Sequence, residues 1–300
     1  MTERSIRIGV VGVSGGWSSE ALADAVAAQT GFRLLIDMHR CVLDLSHGRL
    51  MFGDVDLCEL DAILIKKIGD RYSPDMLDRL ELLRFVQERG VPVFSKPTSV
   101  LRLLDRLSCT VTLTSNAIPI PPTTVTESVA RAASAVASYG EAVLKPLYST
   151  KAKGMMVVSA SDPAALEQQL VSFQSAGNPI LYVQKRLEIG DRDFGVIFLG
   201  GEHVGTYARV KSGSSWNTTT RDGGHYEAHS GSPELVALAW RAQAPFDLDL
   251  TSVDIMETAS GLQVLEVSAF GGFRGSRDAL GLDLAERYAR YAVERLRQGR

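Results

Sequence analysis

The sequence predicts an α/β protein of more than one lobe, opening with a parallel sheet. Three observations carry this. Apolar runs alternate with helix-patterned stretches through residues 1–95, the order that builds parallel strands covered on both faces. The chain has 300 residues, more than one small core organises, so two or three compact lobes are expected. Hydrophobic residues make up 45% and charged residues 22%, with no Pro/Gly/Ser-rich linker and no low-complexity tract, so disorder is expected only at the ends.

The first strand is "SIRIGVVGV", and "SGGWSSEALADAVAAQTG" follows as a helix that Ser18 or Ser19 can cap. "FRLLIDM" reads as the next strand, "CVLDL" and "RLMF" as a hairpin around "SHG", and "LDAILIKKI" as a buried strand. A helix over 73–90 has Ser73 as cap, Pro74 in its first turn, a stripe of Leu77, Leu80 and Leu83, and Gly90 as stop. "VPVFS" closes an N-terminal α/β lobe at residue 95. A central lobe over 96–178 holds two helical stretches, a proline-rich turn, then helix, strand, the basic loop "STKAKG", strand and helix. A third lobe, 179–300, holds three strands, a long polar loop over 211–232, a helix, a hairpin and an amphipathic final helix.

The net charge of −3 supplies no field that would collect nucleic acid or an anionic membrane. No apolar run approaches the roughly 18 residues that span a bilayer, and "MTERSIRIGV" lacks a secretory pattern, so a cytoplasmic protein is expected. Cys41, Cys58 and Cys109 show no metal or disulfide spacing and read as buried thiols; the histidines show no HxH or HExxH spacing. Gly9, Gly12, Gly15 and Gly16 do not fit G-x-G-x-x-G, leaving a tight turn or a substrate-anion contact around Ser14. Lys66 and Lys67 end a strand and read first as solvated, with a place in a ligand cleft as the alternative.

The chemistry concentrates in "LTSVDIMETASGLQVLEVSAF". Read as a hairpin with a three-residue "ASG" loop, its pairing centres on Ser260 and sets Asp254 opposite Glu266. Ser252, Asp254, Met256, Val264, Glu266 and Ser268 then share one face, while Val253, Ile255, Leu265 and Val267 point to the core. Two carboxylates so placed have Cβ atoms roughly 4.5 to 5.5 Å apart and repel. Either one is protonated or a divalent cation sits between them, and oxygen ligands with a Ser268 hydroxyl favour Mg²⁺ or Mn²⁺. Mg²⁺ on few carboxylates shares its shell with nucleotide phosphates, which suggests ATP. A register off by one would instead leave both acids as surface charges.

The order of these pieces resembles the ATP-grasp superfamily, specifically the RimK-like ligases, over nearly the whole chain. The resemblance implies an N-terminal lobe followed by two ATP-grasp lobes with ATP between them. "VLKPLYSTKAKGM" presents Lys145 where the family contacts phosphates, with Lys151 in the loop behind it. "ILYVQKRL" matches the adenine hinge with Gln184, Lys185 and Leu187, and Asp193 falls at the ribose position. "WNTTTRDGG" resembles R-x-N-x-x-x-GG and gives Asn217 and Arg221. Arg209 sits where an arginine reaches the γ-phosphate, and Asp254, Glu266 and Ser268 match D…E-x-N. The wording "VLKPLYSTKAKGM", "SWNTTTR" and "EVSAFGGFRG" is similar to the ATP-grasp protein of the GAK bacterial gene cassette, which sharpens the family rather than the reaction.

Two departures stand out. Ser268 replaces asparagine, a shorter ligand that bears on a second metal. Arg106 replaces a lysine near the α- and β-phosphates, keeping the charge and adding a fork. The resemblance implies an ATP-dependent carboxylate–amine ligase acting through an acyl phosphate, with Lys145, Arg209 and Arg221 as catalytic residues, the first two at the transferring phosphoryl group. Arg221, Arg274 and Ser14 are candidates for holding small-molecule or peptide carboxylate and amine substrates. A kinase-like phosphotransferase and a nucleotide-binding regulator without turnover stay open beside it, as does a homo-oligomer.

Overall fold

The computed structural model describes residues 5–150, 152–188, 190–213, 218 and 223–299. The N-terminal sheet is wholly parallel: β1 (Ile8–Val11), β2 (Leu35–Ile36), β6 (Ala62–Ile65) and β7 (Val93–Phe94) lie in the order β2-β1-β6-β7. Both faces are covered, as strands apolar at every position require. Val11, Ile63 and Ile65 pack toward helix α2 (Asp75–Glu88); Ile8, Val10, Ala62 and Leu64 pack toward α1 (Trp17–Thr30) and the last helix, α9 (Leu284–Gln298). The caps differ from expectation. Gly16 precedes α1 without a side-chain cap, and Ser19 lies inside the first turn, its buried Oγ accepting from the Val13 N–H at 3.1 Å. Pro74, not Ser73, precedes α2. The expected hairpin is present as β3 (Cys41–Asp44) and β4 (Arg49–Phe52), extended by β5 (Val55–Asp56). Of the three thiols only Cys109 is fully buried.

Helices α3 (Pro97–Leu104) and α4 (Arg106–Ser115) bury Val100, Leu104, Cys109 and Leu113 in a core shared by the N-terminal and C-terminal sheets. A smaller lobe has a core of its own, from Ala132 to Val183. It comprises β8 (Thr123–Thr126), α5 (Val129–Tyr139), β9 (Glu141–Leu144), β10 (Met156–Ser159), α6 (Pro163–Ser175) and β11 (Leu181–Lys185), with sheet order β10-β9-β11-β8. Side chains cap both of its helices: Ser128 accepts from the Arg131 N–H, and Asp162 accepts from the Ala164 and Ala165 N–H groups.

The third sheet is antiparallel, ordered β14-β13-β12-β15-β16, from β12 (Arg192–Leu199), β13 (Glu202–Val210), β14 (His225–His229), β15 (Leu250–Thr258) and β16 (Gly261–Ser268). Helix α7 (Pro233–Gln243) covers one face, and α8 (Phe273–Leu280) packs against β13 and β14. Two of these elements depart from the sequence reading. β14 lies in the segment expected to be a polar loop, an edge strand whose His and Glu side chains are mostly exposed. α8 carries Gly275, which weakens a helix, yet a Cβ there would sit 2.4 Å from Cζ of Tyr207. Packing outweighs propensity at that position. Among the described residues no helix is long and apolar enough to cross a membrane.

Candidate active site

The hairpin that carries the two acids pairs Asp254 with Glu266, as the sequence predicts, by a different route. Thr258 pairs with Gly261, so the turn is the two residues Ala259 and Ser260 rather than "ASG". The register then slips by one between Asp254 and Ile255, and Leu265 is the extra residue of a bulge. One consequence corrects the expected faces. Val264 (1% exposed) joins Val253, Ile255 and Val267 in the core, while Leu265 stays half-buried in a pocket beside Glu266.

The opposite face of this sheet collects the charges. Asp193 on β12 pairs with Arg209 on β13, and Gly195 pairs with Asp254, so the alternation of strands sends Asp193, Arg209, Asp254 and Glu266 to one side. Arg209 Nε donates to Asp193 at 3.1 Å, a second guanidinium nitrogen bonds the other Asp193 oxygen, and the same group lies 2.9 Å from Asp254. Burial works against the Arg209 charge, but Asp193 and Asp254 outweigh it and hold the guanidinium protonated. Burial pushes Asp254 up to about 6; Arg209 opposes the rise, while Asp193 and Glu266 add to it. Asp193, the position matched to ribose binding, is 2% exposed and taken up by Arg209.

Across the cleft, Lys145 follows β9 and donates to Gln184 Oε1 on β11 at 2.5 Å. Gln184 in turn donates to Thr123 at 3.0 Å and toward the Tyr182 hydroxyl, which bonds Thr110 at 2.8 Å. Burial lowers Lys145 to about 7; Arg106 lowers it further and Glu266 opposes. Arg106, at the start of α4, lies 3.6 Å from Glu266 and lines a pocket with Tyr72, Leu147, Ser149, Leu265 and Glu266. Lys185 and Leu187 are half-buried at the end of β11. Ser268 Oγ accepts from the Phe270 N–H at 3.2 Å.

Ser14 and Arg274 are exposed. Their segments adjoin: the Arg277 guanidinium stacks 4.1 Å from the Trp17 ring, joining α8 to the first turn of α1. Lys151, Asn217 and Arg221 lie outside the described residues, as does Trp216.

One residue the sequence reading placed in solvent is buried. Lys66 is 2% exposed, donates to the Phe270 carbonyl at 2.7 Å and packs 4.2 Å from the Phe273 ring centre. Parity gives no signal here, since both phases of β6 are buried; the contacts of Lys66 come from Phe270 and Phe273, far along the chain.

The carboxylates fit a divalent cation shared with a nucleotide. Among the described residues no group of three or more His, Cys, Asp and Glu forms a cage. Two carboxylates on adjacent strands with a hydroxyl nearby are the oxygen set of a Mg²⁺ that completes its shell from phosphates and water.

Known proteins similar to this chain bear on its family and fold. Tetrahydromethanopterin:alpha-L-glutamate ligase of Methanosarcina acetivorans is 24% identical over 307 residues, covering 92% of this chain and 94% of that protein. A probable alpha-L-glutamate ligase of Aeromonas salmonicida is 26% identical over 274 residues, 90% of each chain. Among solved structures, the ATP-grasp ligase PsnB with minimal precursor, Mg and ADP superposes with a TM-score of 0.74 at 18% identity, covering 99% of both chains. A RimK domain ATP-grasp protein of Sphaerobacter thermophilus gives 0.73 at 21% identity, covering 95% of this chain and 98% of that one. The model of the RimK-like ATP-grasp domain matches residues 104–292, and the chain belongs to that family.

Proposed function

We propose that this protein is an ATP-dependent carboxylate–amine ligase whose nucleotide lies between the Lys145–Gln184 side and the Arg209–Asp254–Glu266 side of the cleft. The observation that carries the reading is the facing pair Asp254 and Glu266, set by the strand register within reach of two arginines. Like charges in that position are stable only with cations around them. Arg209 and Arg106 supply part of that charge, and Mg²⁺ or Mn²⁺ held by Asp254 and Glu266, with Ser268 adjacent, would supply the rest and neutralise the phosphate oxygens.

In this reading a substrate carboxylate oxygen attacks the γ-phosphorus of ATP and ADP leaves. An amine then attacks the acyl carbon, and phosphate departs as the amide forms. Arg209, locked between Asp193 and Asp254, offers a fixed guanidinium to the developing charge without reorganising. Lys145, with burial disfavouring its charge, gains most from an incoming phosphate. Arg274 and Ser14, with Arg221, are the residues proposed to hold the substrates, and the glutamate ligases among the relatives make L-glutamate the first amine to try. Gln184, Lys185 and Leu187 are proposed for the adenine, and Lys151 and Asn217 for the phosphates. The test is ADP release with Mg²⁺ over a panel of amino acids, small acids and peptides, using Glu266→Gln as the blank. Amide product with ADP supports the ligase; a phosphorylated product would replace it with a phosphotransferase.

A further inference from the structure

Glu266 is engaged before any cation arrives. Arg106 lies 3.6 Å from it, and the arginine side chain is only 9% exposed. The same guanidinium also holds the segment after Lys145: Nε donates to the Pro146 carbonyl at 3.3 Å, and a terminal nitrogen donates to Ser149 Oγ at 3.3 Å. The Arg106 backbone N–H donates to the Leu147 carbonyl at 3.1 Å. One side chain therefore joins α4, residues 146–149 and β16. Asp254, by contrast, is matched to Arg209, which Asp193 fixes from its other side. Among the described residues, the hydrogen bonds that hold the Arg106 guanidinium from its other side go to neutral carbonyl and hydroxyl oxygens. Of the two arginines on the acid pair, it is the one a polyanion can draw away, because a phosphate oxygen is a far stronger acceptor for a guanidinium fork than a carbonyl.

We propose that Arg106 is a positioning residue that makes cation binding at Glu266 depend on nucleotide. In the empty cleft its guanidinium neutralises Glu266 and competes with the cation for that carboxylate. A nucleotide's phosphates take the guanidinium, Glu266 is released to the cation, and residues 146–149 lose their side-chain tie at the same moment, the backbone bond to Leu147 remaining. A lysine at this position, with one compact ammonium, could not span Glu266, Pro146 and Ser149 together. The inference rests on the proposed nucleotide site, and linkage makes it reciprocal: the cation raises nucleotide affinity by the factor by which nucleotide raises cation affinity.

The test is Mn²⁺ binding to the full chain without nucleotide, read by paramagnetic resonance of the free ion. Arg106→Gln should bind Mn²⁺ about tenfold more tightly than wild type, within the ordinary range of coupling. The gain should vanish in the double variant with Glu266→Gln. Should Arg106→Gln fail to give a cooperative melt, Arg106→Lys serves in its place, with a smaller gain of the same sign. Equal or weaker Mn²⁺ binding by the folded variant overturns the proposal. ADP binding to wild type in the presence of Mg²⁺ is measured separately: its absence would sink the nucleotide reading, whereas the Mn²⁺ comparison reports on the Arg106 contact alone.

Discussion

Asp254 and Glu266 face each other on the cleft side of the β15–β16 ribbon while Leu265, beside Glu266, is squeezed out of the ladder. The bulge lets a two-residue turn and the acid pair coexist. It also turns Leu265 and Glu266 toward the same pocket and hands the core position to Val264.

That exchange predicts unequal costs for two neighbouring truncations. Val264→Ala empties a core site and should cost on the order of 2 kcal/mol, whereas Leu265→Ala should cost less than about 1 kcal/mol. Urea midpoints measured side by side decide it; a larger loss at Leu265 would mean the ribbon is not bulged there.

Glu266→Gln keeps the size of the side chain and removes the charge that would hold the cation. ADP release in the presence of Mg²⁺ should fall on the order of a hundredfold or more, with ADP binding in EDTA retained. Unchanged turnover would remove the acid pair from the chemistry.

Lys66 gives stability a pH dependence of known sign. Its folded-state pKa is lowered to about 7, chiefly by burial and secondarily by Lys67, against an ordinary lysine value of 10.5. The unfolded chain thus binds more protons between those values, so this group's penalty is full below about pH 7 and is relieved as pH rises toward 10.5. Relative to Lys66→Met, wild type should gain on the order of 1 kcal/mol per pH unit from pH 7 to 9. A parallel pair of stability curves would show that the folded chain keeps this amine charged up to pH 9, its pKa not lowered.

The Tyr207 ring is wedged between β12 and α8: a Cβ on Gly195 would lie 2.3 Å from its Cζ, and one on Gly275 2.4 Å. Gly275→Ala should destabilise by about 1–3 kcal/mol through overpacking. Adding Tyr207→Leu should recover part of the loss, since the ring is what the methyl meets; no recovery in the double variant would place the strain elsewhere.

Much of this was legible in advance because period-2 alternation and helix signals are local. The acid pair, the small lobe's order of helices and strands, and the parallel opening sheet all follow from spacing. What the sequence hid depends on contacts from afar. β14 is a strand because β13 offers it an edge, not because "HYEAH" is apolar. α8 tolerates Gly275 because Tyr207 fills the space, and Lys66 is buried because Phe270 and Phe273, some two hundred residues away in sequence, close over it. Arg106 was placed by its match to a family lysine, but its grip on Glu266 and Ser149 needs three segments at once.

The clasp of α9 on α1 has one more implication. It packs the first long helix against the last, so the outer lobes share their core clusters and form one anvil. The separately cored piece from β8 to β11 is the hammer. If the cleft takes the nucleotide proposed above, a swing of this one jaw about its two junctions would admit and release it without disturbing a substrate seated against the anvil.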